Sequence, residues 1–164
     1  MLKIYRAKTK QDVDDARKLF FEYLEYLKTY FKKLADFPWL IKYYRDFEKE
    51  INSLPGKYIF PKGYILLAKY DGHLAGCVAL EDKNDGICEM QRLYIRKDYR
   101  RRGIGTKLCE ALIEQAKSSG YRRMQLHTAI EPPKYLYKSL GFTEIAPTEN
   151  IPLDTIVFME LKLK

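Results

Sequence analysis

Arg100-Arg101-Arg102-Gly103-Ile104-Gly105 stands between a strand-like run at residues 88–95 and a helix-like run at residues 103–118. Two glycines one residue apart after a strand let the backbone turn sharply, so that successive N–H groups can point at phosphate oxygens. A helix starting there adds its positive N-terminal end. The stretch therefore predicts a pyrophosphate site. Glycine-rich strand-to-helix turns serve several nucleotide-binding folds, and the neighbouring residues argue against the two commonest. A P-loop needs Lys and then Ser or Thr directly after its last glycine, whereas Gly105 is followed by Thr106-Lys107, the reverse order. A dinucleotide fingerprint needs a small residue where Leu108 stands. It also needs an acid about twenty residues on, where the chain reads Met124-Gln125-Leu126-His127-Thr128.

On either side of the turn, hydrophobic periodicity predicts the order β-α-α-β-β-β-α-β-α-β-β. The alternation around Ile4 opens a strand. Thr9 is the expected N-cap of a long helix in which Val13, Ala16, Phe20, Tyr23, Leu24, Leu27, Tyr30 and Phe31 recur at helical intervals. Pro38 suits the first turn of a second helix that carries Leu40, Tyr44, Phe47 and Ile51 inward until Pro55-Gly56 stops it. Strands at residues 64–70 and 73–81 flank Asp71-Gly72, a two-residue hairpin turn. After the glycine turn, Ile104, Leu108, Leu112 and Ala116 repeat every fourth residue, and Gly120 follows as a left-handed cap. One continuous mixed sheet with helices on its faces is the expected architecture, an α/β (α+β) fold in a single domain over residues 1–164.

Composition agrees. A chain of 164 residues suits one domain with a sizeable core. No apolar run approaches the roughly 18 residues of a membrane-spanning helix, and the N-terminus lacks the apolar core of a signal peptide, so a soluble cytoplasmic protein is expected. Cys77, Cys88 and Cys109 each lie inside an apolar pattern, which reads as three buried thiols. The two histidines, His73 and His127, have no zinc spacing to these cysteines, so no metal site is expected; His127, in a predicted strand, is a candidate for touching substrate or cofactor. The net charge of +8 asks for an anionic partner. Nucleic acid is one, but no helix-turn-helix, zinc-finger or RNA-binding aromatic motif is present. Between residues 20 and 58 the aromatic density (Phe21, Tyr26, Tyr30, Phe37, Trp39, Tyr43, Tyr44) exceeds what one buried stripe requires.

The R-x-x-G-x-G formed by residues 100–105 resembles the cofactor motif of the GNAT superfamily, the acetyl-coenzyme A-dependent N-acetyltransferases. Glu89-Met90-Gln91-Arg92-Leu93-Tyr94-Ile95 with Tyr99-Arg100 looks like the strand and turn before that motif, and Tyr137-Lys138-Ser139-Leu140-Gly141-Phe142 looks like the family's C-terminal helix-to-strand signature. Leu54-Pro55-Gly56-Lys57-Tyr58 and Gly76-Cys77-Val78-Ala79-Leu80 are similar to one branch of these proteins, so the resemblance covers roughly residues 54–163. It implies a central, mostly antiparallel sheet flanked by helices on both faces. It also implies acetyl transfer from acetyl-coenzyme A to a primary amine by direct attack, in a monomer or homodimer, with a small-molecule amine or a protein amino group as acceptor.

By the same resemblance, Leu93, Tyr94 and Ile95 hold the pantetheine arm and acetyl oxygen through their backbone, with an N–H near Ile95 as oxyanion donor. Arg100, Arg101, Arg102, Gly103, Ile104, Gly105, Thr106 and Lys138 are the other expected cofactor contacts. Tyr137 takes the family's tyrosine position as proton donor to the leaving thiolate, and Glu89 aligns with a glutamate that acts as general base in some members; a strand glutamate is alternatively an ion-pair partner of Arg92 or Lys69. Ile130-Glu131-Pro132-Pro133 departs from the pattern, replacing the usual Asn at Ile130 and Ala at Pro133. Two rivals remain: a GNAT-like acyl-coenzyme A sensor without catalysis, and a basic nucleic-acid binder with salt-sensitive affinity.

Overall fold

The computed structural model describes residues 1–129 and 133–164, so the departure at Ile130, Glu131 and Pro132 lies outside the described residues. Seven strands form one sheet: β1 (Leu2–Arg6), β2 (Tyr64–Tyr70), β3 (His73–Asp82), β4 (Ile87–Ile95), β5 (Arg123–Thr128), β6 (Thr143–Ile145) and β7 (Val157–Lys162). Their spatial order is β1-β2-β3-β4-β5-β7-β6. Every neighbouring pair is antiparallel except β4 and β5, which are joined by a helical crossover and run parallel.

The helices are α1 (Lys10–Tyr30), α2 (Pro38–Asn52), α3 (Ile104–Ser118) and α4 (Pro133–Ser139). The order is the one periodicity predicts, because its punctuation is local chemistry. The Thr9 hydroxyl oxygen accepts a hydrogen bond from the Asp12 N–H and the Asp12 carboxylate accepts one from the Thr9 N–H, a reciprocal cap at the start of α1. Asp71 and Gly72 adopt φ of 49° and 82°, the left-handed pair that a two-residue hairpin needs.

α1 and α2 cover one face of the sheet, burying Phe20, Leu24, Phe47 and Ile51 against Leu67, Cys77 and Ala79. α3 and α4 cover the other, where Leu108, Leu112 and Tyr137 pack on Val78, Met90, Met124 and Met159. No described helix is long and apolar enough to cross a membrane.

All three cysteines are free and buried. Burial raises each thiol, with nearby carboxylates adding to it, to about 12 at Cys88 and Cys109 and further at Cys77. The thiolate is the reactive form, so the folded protein is expected to resist iodoacetamide at pH 8 and to take up three alkyl groups only after denaturation. Intact-mass analysis reads this directly; modification of the native chain at one site would show that a thiol is open to solvent.

Candidate active site

β4 and β5 pair only from Ile87 to Glu89, opposite Arg123 to Gln125. Beyond that point β4 continues to Ile95 without a strand partner on that side among the described residues, and the edges of the two strands face a cavity of about 1070 Å³. Residues 90–95 of β4, residues 126–128 of β5 and Ala129 just after it line the opening. An unpaired strand edge offers backbone donors and acceptors to any extended chain laid along it.

The glycine turn closes one end. Gly103 caps α3 at φ 76°, a left-handed conformation that a side chain disfavours, and Arg101 before it is also left-handed at φ 62°. The first helical bond here runs from the Lys107 N–H to the Gly103 carbonyl, and no side chain caps the helix. Among the described residues, the backbone N–H groups of residues 101–106 have no acceptor. A run of open donors at the N-terminus of a fifteen-residue helix is an anion cradle.

Leu93, Tyr94, Ile95, Arg100, Arg101, Gly103, Ile104, Gly105 and Thr106 all line the cavity, as does Tyr137 from α4. Two expected contacts stand outside its wall. The Arg102 guanidinium lies 4.8 Å over the Tyr70 ring. Lys138, one residue beyond Tyr137 and so about 100° further round the helix, faces solvent with its ammonium 3.8 Å from Glu144.

Glu89 is buried on the face of the sheet that α1 and α2 cover. Its Oε1 accepts from the Gln91 amide at 2.7 Å and lies 4.0 Å from His127 Nδ1, while its Oε2 is 3.9 Å from the Lys83 ammonium. Neither Arg92 nor Lys69 pairs with it. Arg92 is redirected by a bulge: Ala79 sits opposite Gln91 but Cys77 sits opposite Tyr94, so two β4 residues face one on β3. Arg92 takes φ 61°, and its side chain joins Gln91 on the α1/α2 face instead of alternating away. There it binds both oxygens of Glu50 at 2.9 and 3.0 Å and donates to the Tyr43 hydroxyl at 2.6 Å. Lys69 lies 5.8 Å over the Tyr5 ring.

The aromatic segment divides. Tyr26, Trp39, Tyr43 and Tyr44 line the cavity, whereas Phe21 and Tyr30 are exposed. His127 lines it too, packed 5.5 Å from Phe158 between ring centroids. Ligand atoms of Glu89, His127 and Glu149 lie within 4.8 Å of one another. Glu149 carries no motif in the sequence; only the return of the chain from β6 to β7 brings it here.

The cavity thus has a cradle of open N–H groups at one end, a strand edge with no strand partner among the described residues along its length and a carboxylate–imidazole cluster on the opposite face of the sheet from α3. The acetyltransferase (GNAT) family model matches residues 16–142. An uncharacterized N-acetyltransferase of Schizosaccharomyces pombe is 31% identical over 99% of this chain and 95% of its own length. Its counterpart in Dictyostelium discoideum is 29% identical over the whole of both chains. The fold also matches two solved structures: a GNAT-family acetyltransferase of Staphylococcus aureus (TM-score 0.74, 20% identity, all of both chains) and the PaiA N-acetyltransferase of Thermoplasma acidophilum in complex with coenzyme A (TM-score 0.72, 18% identity, 99% of each). The chain belongs to the GNAT family of acetyltransferases.

Proposed function

We propose that this acetyltransferase takes its acetyl group from acetyl-coenzyme A and passes it to a primary amine by direct attack. The observation that carries the reading is the run of open N–H groups at residues 101–106, leading into the stretch where β4 has lost its β5 partner. The diphosphate of coenzyme A fits the cradle, with Arg100 and Arg101 beside it. Pantetheine, an extended arm with two amides, fits the β4 edge at Leu93, Tyr94 and Ile95 in the manner of an added strand.

The amine approaches from the α1/α2 face, where Glu89 lies. Its nitrogen attacks the thioester carbonyl, a backbone N–H near Ile95 stabilises the oxyanion, and Glu89 takes the proton the nitrogen loses. When the carbon–sulfur bond breaks, the Tyr137 phenol donates its proton to the sulfur. The thiol of coenzyme A leaves, and Tyr137 is reprotonated from water. The test is release of free thiol from acetyl-coenzyme A on adding primary amines: amine-dependent release with formation of the N-acetyl product is expected. Release without product, or none across small amines and lysine peptides, overturns the reading.

Gly76 gives a separate handle on the cofactor edge. A Cβ there would lie 2.7 Å from the Tyr94 carbonyl oxygen and 2.6 Å from the end of the Ile95 side chain. The side chain can rotate away, but the carbonyl moves only if β4 shifts. Gly76→Ala should weaken acetyl-coenzyme A binding by about tenfold and destabilise the fold by roughly 1–3 kcal/mol, read by calorimetry and urea denaturation. Unchanged affinity would place the cofactor away from this part of β4.

A further inference from the structure

We propose that the acceptor is a small arylalkylamine, a primary ammonium on a short arm carrying an aromatic ring. The inference rests on the reading above, in which the cradle and the β4 edge hold the donor, and concerns the part of the cavity left over. That part has two unlike walls. One is a surface of aromatic side chains from α1 and α2, among them Trp39 and Tyr43, which are stacked on each other with ring centroids 5.3 Å apart and planes 19° from parallel. The other is the cluster of Glu89, His127 and Glu149.

The aromatic wall is held in place for recognition. Tyr43 accepts from Arg92, which is in turn clamped by Glu50, so its ring cannot swing away. Trp39 remains half-exposed on the cavity side of the stack. A flat guest gains from offset or edge contact with such rings beyond what burial of its area gives.

Charge decides what kind of amine fits. Outside the donor's share, Glu81, Glu89 and Glu149 line the cavity, but so do Lys57 and Lys83. A polyamine would bring further positive charge against those cations, whereas a single ammonium is matched by the two carboxylates beside His127. The same three groups have a spacing that suits a metal ion, yet the Gln91 amide and the Lys83 ammonium already address both Glu89 oxygens, which suits a shared hydrogen-bonding partner better than a bare cation.

Trp39 is the only tryptophan of the chain, so its emission reports this wall whether or not the protein is catalysing. The protein, without donor, is titrated at pH 7.5 with 2-phenylethylamine, n-hexylamine and 2-phenylethanol while Trp39 is excited selectively, with calorimetry on the same samples. The expected result is saturable binding of 2-phenylethylamine, about three- to tenfold tighter than n-hexylamine and about tenfold tighter than the uncharged alcohol. Glu149→Gln, on an exposed loop where unfolding is no concern, should weaken the amine several-fold and leave the alcohol unchanged. Equal or tighter binding of n-hexylamine, or no binding of 2-phenylethylamine by either readout, overturns the proposal. A parallel titration with acetyl-coenzyme A keeps the two readings apart. A chain that binds the donor but prefers the aliphatic amine sinks the aromatic assignment alone. One that binds 2-phenylethylamine but no acetyl-coenzyme A supports the amine site and sinks the donor.

Discussion

Arg92→Met is expected to lower the unfolding free energy at pH 7 by roughly 3–5 kcal/mol, the range for breaking a buried ion pair from one side. Arg92 and Glu50 expose only 11% and 12% of their side chains, and the guanidinium carbon sits 3.8 Å over the Phe47 ring. Removing the cation leaves Glu50 buried with Lys57 at 3.2 Å and the Tyr58 hydroxyl as its remaining partners. The double variant Arg92→Met, Glu50→Met should recover most of the loss, because no uncompensated charge remains.

The pair also sets a pH dependence. Burial alone would raise the Glu50 carboxyl, but the Arg92 guanidinium, with Lys57 and Tyr58, more than offsets it and holds the group below the usual carboxylate range. A carboxyl whose folded value is depressed contributes stability above its unfolded value, about 4.3, and loses it as pH falls through the folded value. The gap between wild type and Arg92→Met, measured by urea denaturation, should therefore be full at pH 7 and narrow below about pH 4. A gap under about 1 kcal/mol at pH 7 would show that the Arg92–Glu50 pair is not the stabilising contact its burial implies.

Tyr137→Phe should cut kcat by about 10²–10⁴-fold, the usual worth of a positioned proton donor, with little change in affinity for acetyl-coenzyme A. The ring is buried in an edge-on contact with Phe142, 5.9 Å between centroids, and phenylalanine preserves that packing. Burial pushes the phenol well above its ordinary value, and Cys109 and Tyr23 add to the shift. It is therefore a neutral donor throughout the working range, and its ionisation should put no falling limb on the kcat profile below about pH 10. Wild-type kcat in Tyr137→Phe would make the residue a packing element and move the proton donation to water.

How much of this was legible in the sequence depends on whether the deciding chemistry was local. Thr9, Pro38, Asp71-Gly72 and Gly103 act within a few residues of themselves, and the element order followed from them. The glycine turn and β4 were legible as one unit because the family motif is continuous there. Arg92 was not: period-two alternation puts it on the α3 face, and only the bulge, which one extra residue opposite Val78 creates, turns it toward Glu50. The pairing of Glu89 with His127 and Glu149 was hidden for a different reason. Those residues lie on β4, on β5 and on the β6–β7 connection, and only sheet order brings them together. Arg102 and Lys138 show the converse, since motif membership alone could not say which side chains face the cavity.

The most direct test of the central claim is a calorimetric titration of the purified protein with acetyl-coenzyme A, with ATP, NAD and a DNA duplex as controls. Saturable binding of one acetyl-coenzyme A per chain, with the controls weak, is the predicted result. No binding of acetyl-coenzyme A, or saturable binding of a control in its place, would contradict the account of the Arg100–Thr106 turn as the seat of that cofactor.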